Sequence, residues 1–256
     1  MREGRYSPEM TKVRDSAERR AAFRVAIFGT GGDKSASDKQ AVEQAKTLAQ
    51  KIIEDGFSLA TGGHDTGIMK AATETAAEKA KELGRRPTEA IKGFPLTKTY
   101  GNLPEVREAG ITRSASLTTR LRHLIDGSSA FVVLGGKIGT VVELLTALHS
   151  ENVRRLAKQK PARRPLLIID PSLEHLDTLN LLVGRDEKLK KREVLEDIYY
   201  LAGQTGWEEK ANHILELYYR QSLGQNLSDE ESAMLKEASY EHNLSDERLK
   251  EAGFHL

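Results

Sequence analysis

A glycine-rich turn followed by a carboxylate is the part of this sequence best suited to chemistry. Residues 130–134 form a continuous apolar run, which is typical of a parallel strand buried on both faces. Gly135, Gly136 and Gly139 follow, and a helical pattern over residues 140–148 carries Glu143 in its first turn. The free N–H groups and the positive dipole end of such a helix attract an anion. The segment therefore predicts a phosphate site with a general base beside it.

The same segment has a second interpretation. Thr140 and Glu143 have the spacing of a capping box, in which the glutamate side chain accepts a hydrogen bond from the N-cap amide. From this segment alone, the phosphate site and the capping box are equally well supported.

Two earlier segments repeat the order of strand, glycine turn and helix. A strand pattern at 23–28 runs into Gly29, Thr30, Gly31 and Gly32, and a helical pattern follows at 37–55 with Gly56 placed to end it. A second strand pattern at 57–61 precedes Gly62 and Gly63, and an alanine-rich helix extends to residue 83. Right-handed crossovers place such turns at the carboxyl ends of the strands. We therefore expect a Rossmann-like, doubly wound α/β fold with a mostly parallel sheet, helices on both faces and turns that converge on one ligand.

Outside these units, the sequence pattern predicts a strand near residues 90–94, another at 165–170 and an amphipathic helix at 207–219. Ser228 and Ser245 each begin a short helix in two similar segments near the end of the chain. We expect a polar N-terminal arm at 1–22 with a short helix, a nucleotide-binding domain at 23–220 and a helical C-terminal appendage at 221–256.

The amino-acid composition excludes several classes of function. The 256 residues are 38% hydrophobic with a net charge of +1, which suits a protein with a sizeable core and no charge bias toward nucleic acid or membrane. The absence of cysteine excludes disulfides and thiolate chemistry. No apolar run approaches the roughly 20 residues that span a bilayer, and no cluster has metal-ligand spacing. The expectation is a cytoplasmic protein without metal, membrane or nucleic-acid partner.

The glycine segments resemble the Lonely Guy family of phosphoribohydrolases, once described as lysine decarboxylases, and related Rossmann-like nucleotide-binding proteins. The resemblance covers about residues 24–170, and the family signature Pro-Gly-Gly-x-Gly-Thr-x-x-Glu corresponds to residues 135–143. A second motif, Gly-Gly-x-x-x-Gly-x-Met, is met by Gly62, Gly63, Gly67 and Met69. The family's arginine on the preceding helix corresponds to Arg120.

The departures from the family pattern concern the same segments. Gly135 replaces the signature proline, and Lys137 replaces a glycine, so the loop carries a positive side chain. Leu121 stands where the family usually has a basic residue after the arginine, and Arg122 comes next. These changes bear on substrate choice more than on the fold.

The resemblance implies hydrolysis of the N-glycosidic bond of a nucleoside 5′-monophosphate, with no cofactor and in a homodimer. It gives Glu143 the role of stabilising an oxocarbenium-like sugar and activating water, and gives Arg120 the role of holding the nucleotide. Arg120 has a second interpretation as part of a solvated helix face or an interface ion pair. The expected substrate-binding residues are Gly29, Thr30, Gly31, Gly62, Gly63, Met69, Gly136, Lys137, Ile138, Gly139 and Thr140.

A non-catalytic function is the alternative. Lys137 and the altered arginine helix favour a nucleotide sensor, or a carrier of a phosphorylated cofactor such as molybdenum cofactor. Retention of both Arg120 and Glu143 favours the hydrolase. Amino-acid decarboxylation is disfavoured, because no lysine has a recognisable pyridoxal phosphate context.

Overall fold

The sheet contains seven parallel strands. The computed structural model describes residues 8–29, 36–97, 108–156, 163–169, 178–179, 193–201 and 204–239. The strands are β1 (Arg24–Phe28), β2 (Ser58–Thr61), β3 (Ile91–Gly93), β4 (Gly110–Ile111), β5 (Ala130–Val133), β6 (Leu166–Ile168) and β7 (Ile198–Tyr200). Their spatial order is β4-β3-β2-β1-β5-β6-β7, and every neighbouring pair is parallel. The predicted Rossmann-like, doubly wound topology is confirmed.

Helices connect and cover the strands. They are α1 (Pro8–Ala22), α2 (Ala36–Glu54), α3 (Gly67–Glu82), α4 (Pro87–Ala90), α5 (Leu117–Asp126), α6 (Ile138–Leu156), α7 (Trp207–Ser222) and α8 (Asp229–Ala238), with a short 3₁₀ helix at Glu193–Asp197. Gly56 lies just after the end of α2, as predicted, and has a φ of 83°. No helix among the described residues has the length and apolar character needed to cross a membrane.

The hydrophobic core has one layer on each face of the sheet. Val25 and Ile27 of β1 pack in a cluster with buried residues of α2, α3 and α7. Ala26 and Phe28, which alternate with them, pack in the other cluster with α5 and α6. Because successive side chains of a strand point to opposite faces, helices cover both faces of this sheet. This arrangement confirms the two-sided packing expected from the continuous apolar strands.

The strand order reverses between β1 and β5. From β1, the sheet runs through β2 to β4 on one side and through β5 to β7 on the other. In open parallel sheets, ligands bind outside the carboxyl ends of the strands at this switch point. Gly29 follows β1 and Gly135 follows β5, so two of the predicted glycine turns lie at this position.

The terminal helices differ in part from expectation. α1 has 15 residues and is longer than the short helix expected there. Its Arg20 forms two 2.8 Å contacts with Glu216 of α7, and its guanidinium lies over the rings of Phe57 and Tyr219. Ser228 caps α8 in a capping box, as its position in the sequence predicted. Ser245 lies outside the described residues.

Candidate functional site

The turn after β5 ends in the first residues of α6. The helix begins at Ile138, and the carbonyl of Lys137 accepts hydrogen bonds from the amides of Thr140 (2.8 Å) and Val141 (3.2 Å). Lys137 therefore occupies the N-cap position, and Thr140 lies inside the first turn. The capping-box interpretation of Thr140 and Glu143 is wrong, because a capping box needs the threonine at the N-cap.

Glu143 instead forms a buried ion pair with Arg120 of α5. The distance between Arg120 Nη1 and Glu143 Oε1 is 2.9 Å, and the two residues are 8% and 7% exposed. Arg120 Nε also donates a 2.9 Å hydrogen bond to the carbonyl of Phe94, just after β3. The pair thus joins helices α5 and α6 to the loop between β3 and β4. The alternative of a solvated helix face for Arg120 is wrong.

Burial sets the protonation behaviour of this pair. Removal of the Glu143 carboxylate from water raises its pKa above the usual glutamate value, because burial penalises the charged form. The charge and hydrogen bond of Arg120 act in the opposite direction, and burial is the larger effect. A buried carboxyl with a raised pKa and a cationic partner is a candidate general base or acid.

The second glycine motif packs directly on this ion pair. A Cβ atom at Gly62 would overlap Arg120 Nη2 and would lie 2.6 Å from Met69 Sδ. Gly63 has a φ of 77°, and a Cβ atom there would lie 2.8 Å from the amide nitrogen of Phe94. The absence of side chains at Gly62 and Gly63 therefore lets Arg120 and Phe94 approach the turn after β2.

The signature loop also has a crowded glycine. A Cβ atom at Gly136 would overlap Thr140 Oγ1 and would lie 2.7 Å from Thr140 Cβ. Thr140 is 1% exposed, and none of the described residues forms a hydrogen bond with its Oγ1. Burial of a hydroxyl without a hydrogen-bond partner destabilises the folded protein by about 1–3 kcal/mol. This hydroxyl, at the start of a helix, is a suitable hydrogen-bond donor to an anion in the loop.

The remaining predicted residues have different positions. Lys137, Ile138 and Gly139 are exposed, and Ile138 is 76% exposed. A Cβ atom at Gly29 would lie 2.7 Å from Ile68 Cδ1, so this glycine allows α3 to pack closely on the end of β1. Thr30 and Gly31 lie outside the described residues.

The structure therefore joins the second motif, the arginine helix and the signature glutamate in one cluster of contacts. The carbonyl of Phe94, which accepts the hydrogen bond from Arg120, is a contact that the sequence analysis did not predict. A backbone acceptor leaves no side-chain pattern to find. Among the described residues, no group of three or more histidine, aspartate or glutamate side chains could hold a metal ion. The site can offer backbone amides and a hydroxyl to an anion, and a carboxylate–guanidinium pair one helical turn away.

Comparison of whole folds identifies similar solved structures. The molybdenum cofactor binding protein of the phototrophic bacterium Rippkaea orientalis is 16% identical, with a TM-score of 0.52 over 76% of this chain and 96% of that chain. The molybdenum cofactor carrier protein of Chlamydomonas reinhardtii is 18% identical, with a TM-score of 0.51 over 79% of this chain and 99% of that chain. At this level of identity, the similarity is one of fold.

Comparison of sequences identifies a relative and a family. The chain is 29% identical over 144 residues to a "Bifunctional cytokinin biosynthesis protein" of Fusarium pseudograminearum (strain CS3096). That alignment covers 48% of this chain and only 27% of the fungal protein. The sequence profile of the SLOG cluster4 family matches residues 22–163, more than half of the chain, which includes all three motifs. The chain therefore belongs to the SLOG cluster4 family, in agreement with its resemblance to the Lonely Guy proteins.

Proposed function

We propose that this protein hydrolyses the N-glycosidic bond of a nucleoside 5′-monophosphate and releases the free base and ribose 5-phosphate. The observation that carries the proposal is the buried pair of Arg120 and Glu143, one helical turn from the glycine loop. The name of the fungal relative, a cytokinin biosynthesis protein, supports nucleotide chemistry as the reaction class.

The phosphate group is bound at the start of α6. The backbone amides of Gly136 and Gly139 and the hydroxyl of Thr140 provide donors, and the helix dipole adds a favourable field. The exposed ammonium group of Lys137 adds a positive charge at the edge of this loop. These groups orient the nucleotide so that its ribose extends toward Glu143.

The bond between the base and C1′ of the ribose breaks through a sugar with oxocarbenium character. The negative charge of Glu143 stabilises this transition state, and the carboxylate accepts a proton from the attacking water. The water oxygen forms the new bond to C1′, while the base leaves with the bonding electrons and takes up a proton from solvent, to which Glu143 returns the proton that it accepted from the attacking water. Arg120 fixes the carboxylate and the nucleotide, since a guanidinium stays charged at ordinary pH and is a poor proton donor.

A substrate panel tests this proposal. We expect chromatography to detect free base and ribose 5-phosphate in equal amounts from at least one of AMP, GMP, CMP, UMP and N6-isopentenyl-AMP. The corresponding nucleosides, which lack the phosphate, serve as the matched controls and should not be cleaved. Cleavage of nucleosides and nucleotides at equal rates would contradict the role assigned to the glycine loop.

A non-catalytic carrier or sensor is the second candidate. The positive charge of Lys137 in a loop that is otherwise glycine-rich favours tight anion binding over turnover. Nucleotide binding at equilibrium without any base release would support this function and contradict the hydrolase. Homodimer formation, which the resemblance also implies, stays a prediction.

The variant Gly139→Ala distinguishes the effect of this glycine on stability from its effect on ligand binding by the loop. Gly139 is exposed, and no atom lies within 4 Å of the position that its Cβ would occupy. Its φ is not in the left-handed region, so alanine is compatible with the helix. Alanine in a helix is favoured over glycine by about 0.5–1 kcal/mol. We expect the variant to unfold at a higher temperature and to bind AMP more weakly, because the methyl group occupies space that the phosphate needs.

Thermal unfolding and equilibrium dialysis with AMP measure these two effects. Gly136→Ala is the matched variant, and we expect it to lose stability as well as affinity, because its Cβ would overlap the Thr140 side chain. If Gly139→Ala binds AMP with wild-type affinity, the phosphate does not approach this residue.

A further inference from the structure

His123 of α5 lies close to the proposed site but takes no part in the proposed hydrolysis. It comes three residues after Arg120, so the two side chains lie on neighbouring parts of one helix face. Because α5 follows β4 and precedes β5, the helix runs from the carboxyl edge of the sheet to its amino edge. His123 is therefore farther from the glycine turns than Arg120, and it can affect a bound ligand only through neighbouring residues.

The His123 side chain contacts the segments that follow β3 and β4. Its Nδ1 atom is 3.3 Å from Ser114 Oγ, within hydrogen-bonding distance, and the histidine tautomer determines which atom donates. Its ring centroid lies 6.0 Å from that of Phe94, and the two ring planes are tilted by 44°. Ser114 and Phe94 are 1% and 6% exposed, so water has little access to either partner. His123 thus ties α5 to two segments at the carboxyl edge of the sheet.

These two segments are also joined to each other through their backbones. The amide of Ser114 donates to the carbonyl of Pro95 (3.0 Å), and the amide of Thr97 donates to the carbonyl of Ser114 (2.9 Å). Leu96 and Ser114 form a parallel bridge beyond the ends of β3 and β4. A displacement of Ser114 would therefore move the backbone of the segment that begins at Phe94.

The carbonyl of Phe94 in turn holds the guanidinium of Arg120. Arg120 Nε donates to this carbonyl at 2.9 Å, and Arg120 Nη1 is 2.9 Å from Glu143 Oε1. The guanidinium is rigid and planar, so contacts at two of its nitrogens fix its orientation. A shift of the Phe94 carbonyl would turn the guanidinium relative to the Glu143 carboxylate.

We infer that His123 is a positioning residue for Arg120. Its Nδ1 atom fixes Ser114, the Ser114 backbone fixes the segment after β3, and the first carbonyl of that segment fixes the guanidinium. The effect on catalysis rests on the proposed hydrolysis. The effect on the orientation of Arg120 does not, so the two effects are measured separately.

Two substitutions of His123 differ in the atom that they place opposite Ser114. The amide group of asparagine reaches the position of Nδ1, whereas that of glutamine reaches the position of Nε2. Both variants lose the imidazole ring and its contact with Phe94, so they form a matched pair. We expect His123→Asn to retain the wild-type orientation of Arg120 and His123→Gln to lose it. Ser114→Ala removes the same contact from the other partner and should have the effect of His123→Gln.

The Nε–H group of Arg120 reports this orientation in NMR spectra of the isotopically labelled full chain. Its signal is the one that disappears in Arg120→Met. A buried, hydrogen-bonded N–H exchanges slowly with solvent, and loss of its hydrogen bond should accelerate the exchange by about tenfold. We expect this acceleration in His123→Gln and the wild-type rate in His123→Asn. His213→Gln, the same substitution at an exposed histidine of α7, is the control and should leave the rate unchanged.

Base release from the preferred nucleotide is the second measurement. We expect kcat to fall about tenfold in His123→Gln, because a displacement of about 1 Å at a positioned group can lower a rate by as much as 10². His123→Asn should remain close to the wild type. An unchanged Arg120 Nε–H exchange rate in His123→Gln, or equal changes in both His123 variants, would overturn the inference. A wild type without base release would contradict the proposed hydrolysis alone, since the exchange rates still decide on the role of His123.

Discussion

Glu143→Gln is expected to lower kcat for base release by about 10²–10⁴-fold, the usual contribution of a positioned acid or base group. Glutamine keeps the size of the side chain and a hydrogen-bond acceptor for Arg120, but it provides neither a negative charge for the oxocarbenium-like sugar nor a base for water. Phosphate affinity should remain, because the amides of the loop and Thr140 are unchanged. Single-turnover assays and equilibrium binding of AMP measure the two quantities.

The same variant should lose about 1–3 kcal/mol of stability, because it leaves the buried Arg120 guanidinium without a counter-charge, and its stability should depend less on pH than that of the wild type. Because burial raises the pKa of Glu143, the folded protein binds a proton at this group more readily than the unfolded chain does. The contribution of Glu143 to stability is therefore fully present below the usual glutamate pKa and is lost as pH rises through the raised value. Glutamine resembles the neutral form and avoids this loss. Thermal unfolding at pH 5 and pH 8 should show a smaller pH dependence in the variant.

Glu151→Gln is the matched control for these effects. Glu151 is a second buried carboxylate on α6, paired with Arg164 and with Arg154. It lies near the end of the helix that is remote from the glycine loop. We expect this variant to lose about 1–3 kcal/mol of stability through its weakened ion pairs and to keep its kcat. A Glu143→Gln enzyme with wild-type kcat would remove Glu143 from the mechanism.

The central part of the fold is predictable from the sequence because its elements have long, strong patterns. The strand predicted at 23–28 is observed at Arg24–Phe28, and the helix predicted at 37–55 is observed at Ala36–Glu54. The apolar run at 130–134 corresponds to β5. The strands β1 and β5 are mostly apolar and the helices that cover them are amphipathic, so local pattern and tertiary packing agree.

The sequence analysis did not find β4 and β7, because they have two and three residues and their pairing depends on the neighbouring strand. It also placed the start of α6 at Thr140 rather than at Ile138, because it assigned the residues up to Gly139 to the glycine-rich turn. The tertiary contact between Glu143 and Arg120 was not predicted either. Such a contact joins residues on different helices and has no local sequence signal.

Gly62→Ala is expected to lower kcat by about 10–100-fold while the protein still folds. The added methyl group would overlap Arg120 Nη2 and the Met69 sulfur, which are both at the ends of long side chains. These side chains can move, so the fold survives, but the guanidinium must then leave its position beside Glu143 Oε1. A displacement of about 1 Å at a positioned group can lower a rate by as much as 10². Steady-state kinetics with the preferred nucleotide, together with a thermal unfolding curve, check this expectation.

A double-mutant cycle identifies whether Gly62 acts through Arg120. Arg120→Met keeps much of the buried volume but removes the cation, so it should lower kcat on its own. If the methyl group of Gly62→Ala acts by displacing the guanidinium, adding it to Arg120→Met should cause little further loss, because the displaced group is no longer present. Losses in kcat that multiply in the double variant would show that Gly62 has a separate role, such as direct approach to the nucleotide. The absence of a side chain at Gly62 would then be a requirement of the ligand rather than of the ion pair.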